Sequence, residues 1–220
     1  MNRFWIILTV VVVGLIGLFF VVKKDDTSTK VSVDGDVNKV LKTDHVRGNK
    51  EAKVVLIEFG DFQCPGCGAA YPVIKSLEST YGDDVAFVFR HFPLTQAHPN
   101  AFAAARAAEA AGEQGKFFEM HDKLFESQTI WGQSTDNQQE LFEGYAKELN
   151  LNMDKFKKDY ASEEVASRIN QDRSIGQQDF DVKATPTFVL NGKKLDPSPK
   201  NQSAFAKLLE DTIKKSQKSN

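Results

Sequence analysis

Two cysteines, Cys64 and Cys67, lie three residues apart where a buried-strand pattern gives way to a helix pattern. They follow Ala52–Phe59, an apolar and largely β-branched run whose length predicts a buried central strand. After them, Gly68–Tyr81 carries apolar side chains at helical spacing, and the alternation in Val85–Phe92 predicts a second strand. A strand, a helix and a strand in this order predict a β-α-β unit with parallel strands.

The rest of the chain predicts an all-helical insertion followed by a return to the sheet. Only helical signals run through about residues 95–183, beginning with Pro99–Ala111, which contains eight alanines. At roughly 90 residues this stretch is too long for a loop, so we expect a helical subdomain packed on the sheet. Thr187–Leu190 then predicts a strand that enters a hairpin through an Asn-Gly turn, and Gln202–Lys215 predicts a closing helix.

Residues 1–22 predict a membrane anchor. Phe4–Val22 is 19 residues without a charge, and as a helix it would span roughly 29 Å, close to the ~30 Å core of a bilayer. A cleaved signal peptide is the competing interpretation, but the run has no small-residue cleavage site. The polar residues 23–43 predict a tether, and residues 44–220 the folded domain. Positive charges on the two sides of the anchor are nearly balanced, so its orientation depends on the chemistry of the cysteines.

Composition excludes several classes of function. The chain has 28 basic and 30 acidic residues, a balance that predicts no nucleic-acid surface. Its two cysteines form one short-range pair, which cannot hold together a disulfide scaffold. The length of 220 residues is sufficient for one domain with its own hydrophobic core, and we expect a monomer.

A thiol at the start of a helix is chemically distinctive. Unpaired backbone N–H groups and the helix dipole stabilise a thiolate there and lower its pKa. Pro65 suits the first helical turn, and Gly66 completes the turn between the thiols. We therefore assign Cys64 as the attacking nucleophile, and Cys67, one turn into the helix, as the resolving thiol.

Three further residues are candidates for the same site. Glu58 is the one carboxylate in the first strand, and burial beneath the thiols would raise its pKa and let it exchange a proton with Cys67. The alternative is that Glu58 marks a solvent-facing strand end. Pro186 directly precedes a strand to which it cannot donate, which favours a cis bond after Thr185 in a tight turn beside the thiols. Asp61 could cap or shape the turn before the first cysteine.

Simpler explanations of the cysteine pair remain open at this level. The pair could be a structural disulfide, two unrelated buried thiols, or half of a zinc site completed by His91 and His98. The strand-to-helix position favours redox chemistry over all three. We predict no metal site, and ordinary structural roles for His91, His98 and His121.

The ordered set of motifs resembles the DsbA-like branch of the thioredoxin superfamily, the bacterial extracytoplasmic thiol:disulfide oxidoreductases. The matching segments are Val54–Cys67, Phe89–Leu94 and Ala184–Phe188, within a likeness that covers about residues 44–213. The resemblance implies an α/β, thioredoxin-like fold with an all-helical insertion. It also implies a mixed-disulfide mechanism that needs no cofactor beyond the redox-active disulfide itself.

The resemblance also assigns individual roles. It implies Cys64 as nucleophile with Cys67 as its partner, Glu58 as the buried acid, and Thr185 with Pro186 as a cis-proline turn. In such folds that turn binds the substrate chain by strand-like backbone hydrogen bonds. One departure concerns the position before the second cysteine, because the strongest oxidases of this family carry His where this chain has glycine.

The leading functional hypothesis is an oxidase that donates its disulfide to reduced or unfolded exported proteins. A membrane partner of the DsbB or vitamin-K-epoxide-reductase type would re-oxidise it, with the domain held outside the cytoplasm by a single membrane pass. The competing hypotheses are a reductase or isomerase of exported thiols, a chaperone-like binding module, and a metal-binding protein.

Overall fold

The computed structural model describes residues 34–199 and 201–218. The predicted anchor and residues 23–33 of the predicted tether lie outside the described residues. Among the residues that are described, no helix combines the length and apolar character needed to cross a membrane.

One five-stranded sheet forms the centre of the fold. Its strands are β1 (His45–Gly48), β2 (Val54–Gly60), β3 (Val85–His91), β4 (Thr187–Leu190) and β5 (Lys193–Lys194). They lie in the order β1-β3-β2-β4-β5, with β2 and β3 parallel, as predicted, and the other neighbours antiparallel. Every residue of β2 and β3 is buried, as expected of β-branched and aromatic strands covered on both faces.

The helices are α1 (Pro65–Tyr81), α2 (Ala101–Gly112), α3 (Phe117–Glu126), α4 (Gln128–Trp131), α5 (Gln139–Glu148), α6 (Met153–Tyr160), α7 (Glu163–Asp179) and α8 (Gln202–Lys218). Helices α2–α7 all lie between β3 and β4, which confirms the all-helical insertion. The first of them begins at Ala101 rather than Pro99. Asn100 precedes the helix as its N-cap residue, where its N–H donates to the side chain of Gln63 (2.6 Å).

The core is divided between the two faces of the sheet. Alternate side chains of β2 point in opposite directions, so Leu56 packs with α1 and α8 whereas Ile57 packs with α7. A third cluster lies within the insertion, where Phe62 and Phe89 meet the aromatic side chains of α3. The insertion is therefore packed against the end of the sheet that carries the cysteines.

The last part of the predicted tether belongs to the folded unit. Arg90 is fully buried and needs acceptors, which it finds in the carbonyl oxygens of Val37 (2.7 Å) and Lys39 (3.0 Å) and in the carboxylate of Asp44 (2.8 Å). Leu41 fills the core between these contacts. The chain is thus held from about residue 37 rather than 44, and it enters β1, a short strand without the alternation that would have predicted it.

Candidate active site

The two cysteines occupy the first turn of α1. Cys64 is its N-cap residue, with extended backbone angles (φ −70°, ψ 122°), and Pro65 takes the first helical position, as predicted. Cys64 is 8 % exposed and Cys67 is fully buried, so an incoming sulfur reaches Cys64 first.

The surroundings of the two thiols shift their pKa values in opposite directions. The hydrogen bond from the Cys67 thiol, followed by contacts with Thr185 and the backbone N–H groups of Cys67 and Gly66, lowers the pKa of Cys64 to about 5. Burial raises the pKa of Cys67 well above its usual value, and the charge of Glu58 adds to this. Near neutral pH the stable form of the pair is a Cys64 thiolate beside a Cys67 thiol.

Glu58 lies in β2, beneath this pair. It is 8 % exposed, and among the described residues its Oε1 atom has no hydrogen-bond partner. Burial, then the charges of Glu78 and Cys64, raises the pKa of Glu58 to about 8. A cavity of about 20 Å³ adjoins it. The prediction of a buried carboxyl with a raised pKa is confirmed, and the alternative of a solvent-facing strand end is wrong.

The turn before β4 faces Cys64. The Thr185–Pro186 peptide bond is cis, as predicted, and the Cys64 thiol donates to the carbonyl oxygen of Thr185 (3.3 Å). Gly66 leaves room for this approach. A Cβ atom there would lie 3.2 Å from Pro186 Cδ and 3.5 Å from the Cys64 sulfur. The sequence-predicted residues of the cysteine turn and the proline turn are therefore brought together at one point.

Asp61 shapes the loop that leads into the cysteines. Its Oδ1 atom accepts from the backbone N–H of Gln63 (2.8 Å), and its Oδ2 atom contacts the N–H of Leu94 (2.9 Å) and His98 Nδ1 (2.7 Å). Its own N–H donates to the Cys67 sulfur (3.4 Å). Asp61 thus fixes the backbone next to the buried thiol.

The histidines contact carboxylates rather than the thiols. His91 and His45 both place Nε2 on Glu109, at 2.8 and 2.9 Å, and His121 is buried against Asp122. His98 contacts Asp61, so the histidines considered for a zinc half-site are engaged elsewhere. In the described part of the chain, no group of three or more His, Cys, Asp or Glu side chains is placed to hold a metal ion.

One contact to the turn that carries the cysteines (residues 62–67, the redox turn) had no signal in the sequence. Gln128, in α4, donates through Nε2 to the carbonyl oxygens of Phe62 (2.8 Å) and Cys64 (2.9 Å). A single glutamine 64 residues from its partner belongs to no motif and no periodic pattern. Only the packing of the insertion on the sheet places it beside the cysteines.

Solved structures share this architecture. The chain is similar to a thioredoxin-like oxidoreductase from Silicibacter pomeroyi DSS-3, with 28 % identity, a TM-score of 0.65, and coverage of 80 % of this chain and 94 % of that one. Wolbachia pipientis alpha-DsbA1 shares the fold, with a TM-score of 0.72 at 22 % identity, and the match covers 82 % of this chain and 97 % of that one.

Sequence comparisons match one family over most of the chain and also match relatives that are much longer than this chain. The chain is 44 % identical over 151 residues to a protein named Na(+)/H(+) antiporter NhaA 1 from Salinispora arenicola (strain CNS-205). That match spans 69 % of this chain but 22 % of the antiporter, so the chain corresponds to less than a quarter of that relative. A family described as thioredoxin matches residues 40–211. The chain therefore belongs to the thioredoxin family, and it carries a cysteine pair at the start of α1.

Proposed function

We propose that this chain is a membrane-anchored oxidase that transfers the Cys64–Cys67 disulfide to exported proteins outside the cytoplasm. The observation that carries the proposal is the opposite shift of the two thiol pKa values, with Cys64 lowered to about 5 and Cys67 raised. A stabilised Cys64 thiolate favours the reduced enzyme over its disulfide. An enzyme whose reduced form is stabilised gives its disulfide away readily.

In the first step, a substrate thiolate attacks the Cys64 sulfur of the oxidised enzyme. The Cys64–Cys67 bond breaks, a mixed disulfide forms between Cys64 and the substrate, and Cys67 leaves with the electron pair. The leaving sulfur is buried and its pKa is high, so it takes up a proton. Glu58, with its pKa raised to about 8, holds a proton near neutral pH and is the group that supplies it.

In the second step, a second thiolate of the substrate attacks the substrate sulfur that is bonded to Cys64 in the mixed disulfide. The substrate disulfide forms, and Cys64 leaves as the thiolate that the first turn of α1 stabilises. The turn at Thr185 and Pro186 lies against Cys64 and is where we place the substrate chain, through strand-like backbone hydrogen bonds. Two electrons have then passed from the substrate to the enzyme.

A re-oxidant must remove those two electrons. We propose a membrane partner of the DsbB or vitamin-K-epoxide-reductase type, whose own disulfide is attacked by Cys64. Membrane attachment through residues 1–22 would keep the enzyme beside such a partner. The uncharged run Phe4–Val22 supports this location. The antiporter relatives support it as well, because there the matched segment belongs to proteins named as transporters.

The deciding experiment is the reduction potential of the cysteine pair, measured by equilibrating the full-length chain with glutathione buffers. We expect a value above about −180 mV, together with oxidation of a reduced, unfolded substrate protein. A value near or below about −250 mV would reverse the direction of electron flow and establish the alternative, a reductase or isomerase of exported thiols. Gly66, in place of the histidine of the strongest oxidases, is the feature that favours this alternative.

Cys64→Ser separates both redox functions from a chaperone-like one. Without the nucleophile, we expect thiol–disulfide exchange to fall to the uncatalysed rate, because the buried Cys67 cannot be reached directly. If the variant still supports folding of exported proteins to the wild-type level, the chain acts by binding rather than by redox chemistry.

A further inference from the structure

The helical insertion reaches the redox turn through one glutamine side chain. Gln128 is the first residue of α4, and its Nε2 atom donates to the carbonyl oxygens of Phe62 and Cys64, at 2.8 and 2.9 Å. The carbonyl oxygen of Cys64 also accepts the N–H of Gly68 (3.1 Å), the first hydrogen bond of α1. One amide group therefore contacts the peptide that joins the nucleophile to its helix.

Gly68 provides the space for this side chain. A Cβ atom at position 68 would lie 2.1 Å from Gln128 Oε1 and 2.8 Å from its Cδ atom. Both atoms belong to the far end of a flexible side chain, so an alanine at position 68 would displace the amide without disturbing the backbone. Gly68 lies inside α1, where glycine is a poor helix former. The close fit gives this glycine a reason to be there.

A second glutamine, on the side of the cysteines, makes hydrogen bonds to the helical insertion. Gln63, which precedes the nucleophile, donates through Nε2 to the carbonyl oxygens of Gly132 (3.2 Å) and Ser134 (2.9 Å). Its Oε1 atom accepts the N–H of Asn100 (2.6 Å). Gln63 is 3 % exposed, so these contacts are shielded from water. Hydrogen bonds from both sides therefore join the redox turn to α4 and the loop after it, which fixes the position of the helix that carries Gln128.

We propose that Gln128 is a positioning residue for the redox pair, which holds the Cys64 peptide in the orientation that stabilises the Cys64 thiolate. The mechanism is electrostatic and geometric. The amide hydrogens of Gln128 carry partial positive charge to the backbone of the nucleophile, and they fix the peptide plane from which α1 starts. Without them only the N–H of Gly68 holds the Cys64 carbonyl, and the N–H groups at positions 66 and 67 are held less well against the sulfur.

The sign of the effect follows from the charge. Loss of a positive partial charge near Cys64 disfavours the thiolate and hence the reduced form, so the equilibrium with glutathione moves toward the enzyme disulfide. A carboxylate at position 128 moves it further, since it places negative charge beside the thiolate. The change is measured relative to the wild-type chain, so it holds whether the wild-type potential is that of an oxidase or of a reductase.

The test uses Gln128→Ala and Gln128→Glu in the full-length chain. For Gln128→Ala we expect the equilibrium with glutathione to shift toward the enzyme disulfide by about three- to tenfold relative to wild type. For Gln128→Glu we expect a shift of about tenfold or more, and tenfold corresponds to about 30 mV in the reduction potential. The Cys64 pKa, followed by thiolate absorbance against pH, should rise in the same order. Gln114→Ala is the matched control. Gln114 also makes two hydrogen bonds to the backbone, both with Asn152 inside the insertion, and its loss should leave both readouts unchanged.

Gly68→Ala supplies an independent variant that keeps Gln128 in the chain. Because alanine favours a helix, α1 should remain folded, while displacement of the amide should reproduce the shift of Gln128→Ala. In the Gln128→Ala background the clash is absent, so Gly68→Ala should add nothing further to the potential and should raise the stability. Equilibrium constants within twofold of wild type for both folded single variants would overturn the proposal. If the shifts of the two single variants add in the double variant, the proposal also fails, because Gly68→Ala would then act independently of the Gln128 side chain.

Discussion

Glu58 and Glu109 are two buried glutamates with nearly equal exposure, 8 % and 5 %, and opposite acidities. Burial raises the pKa of Glu58 to about 8, and no described residue bonds to its Oε1 atom. Burial alone would also raise the pKa of Glu109, but hydrogen bonds from His45 and His91 outweigh it and hold that pKa well below its usual range. Burial alone therefore does not decide the pKa of a buried carboxyl, because hydrogen-bond partners can reverse its effect.

The comparison separates a structural carboxylate from a reactive one. Glu109, in α2, joins the insertion to β1 and β3 through its two histidines. Glu58 is left able to gain and lose a proton near neutral pH, next to a thiol that must do the same. Substitutions at the first glutamate should therefore change stability, and substitutions at the second should change the rate of exchange.

The largest effect is expected for Glu109→Ala. Removal of the carboxylate leaves the buried His91 and the partly exposed His45 without it, and loss of one partner from a buried pair costs about 3–5 kcal/mol. Urea unfolding should show this loss, while the exchange rate of the folded variant remains at the wild-type value. Glu113→Ala is the control, because Glu113 is exposed near the end of the same helix and should change the stability by less than about 0.5 kcal/mol. A wild-type midpoint for Glu109→Ala would contradict the structural role.

The next effect is expected for Glu58→Gln, which keeps the shape and removes the proton transfer. The breaking of the Cys64–Cys67 disulfide at pH 7 should slow by about 100-fold, equivalent to about 2.7 kcal/mol in the barrier. Its unfolding free energy should not fall, since the carboxyl stabilises nothing through Oε1. Stopped-flow mixing of the oxidised variant with a small thiol measures the rate. An exchange rate equal to that of wild type would show that another group handles the Cys67 proton.

A smaller effect is expected for His45→Ala, which removes one of the two partners of Glu109. His45 stacks on Phe117, with ring centroids 3.4 Å apart, and contacts Glu109 at 2.9 Å. His91 remains in place, so the cost should be about 1–2 kcal/mol, less than the loss of the carboxylate itself. Urea unfolding of both single variants and of the double variant measures the coupling. If the two losses add fully, the histidine and the glutamate do not act as one cluster.

The sequence predicted the redox centre well because its parts are local. Cys64 to Cys67 lie within one helical turn, and Pro186 stands at the start of its own strand, so short motifs carry their meaning. Glu58 was recognisable because a single carboxylate interrupts an apolar strand. Each of these inferences needed only neighbours in the sequence and the β-α-β pattern that surrounds them.

The missed features depend on contacts between distant segments. The hydrogen bonds of Gln128 with the redox turn span 64 to 66 residues, and those of Arg90 with Val37 and Lys39 span more than 50. Gln128 does not stand out in its own segment, and nothing near Arg90 in the sequence shows which acceptors it meets. The helix around Glu109 reads as an ordinary alanine-rich element, and nothing local shows that His45 and His91 meet on its carboxylate. Such residues can be found only once the packing is known.

The smallest prediction compares the pH dependence of stability in the two redox forms. Glu58 has a raised pKa, so the folded state keeps a proton that the unfolded chain releases above about 4.5, and stability falls as the pH rises toward 8. In the oxidised protein neither cysteine titrates, so Glu58 should lower the unfolding free energy by about 1 kcal/mol between pH 6 and pH 7. In the reduced protein the lowered pKa of Cys64 acts in the opposite direction from pH 5 to 9, and the contributions of Glu58 and Cys64 to the slope should nearly cancel.

The variant Glu58→Gln should flatten the oxidised curve and leave a rising reduced one. Glu109 contributes only on the acid side, where its stabilisation is lost as the pH falls below about 4.5. A flat curve for the oxidised wild-type protein would mean that Glu58 does not carry its proton near neutral pH, and the contrast between the two glutamates would fail.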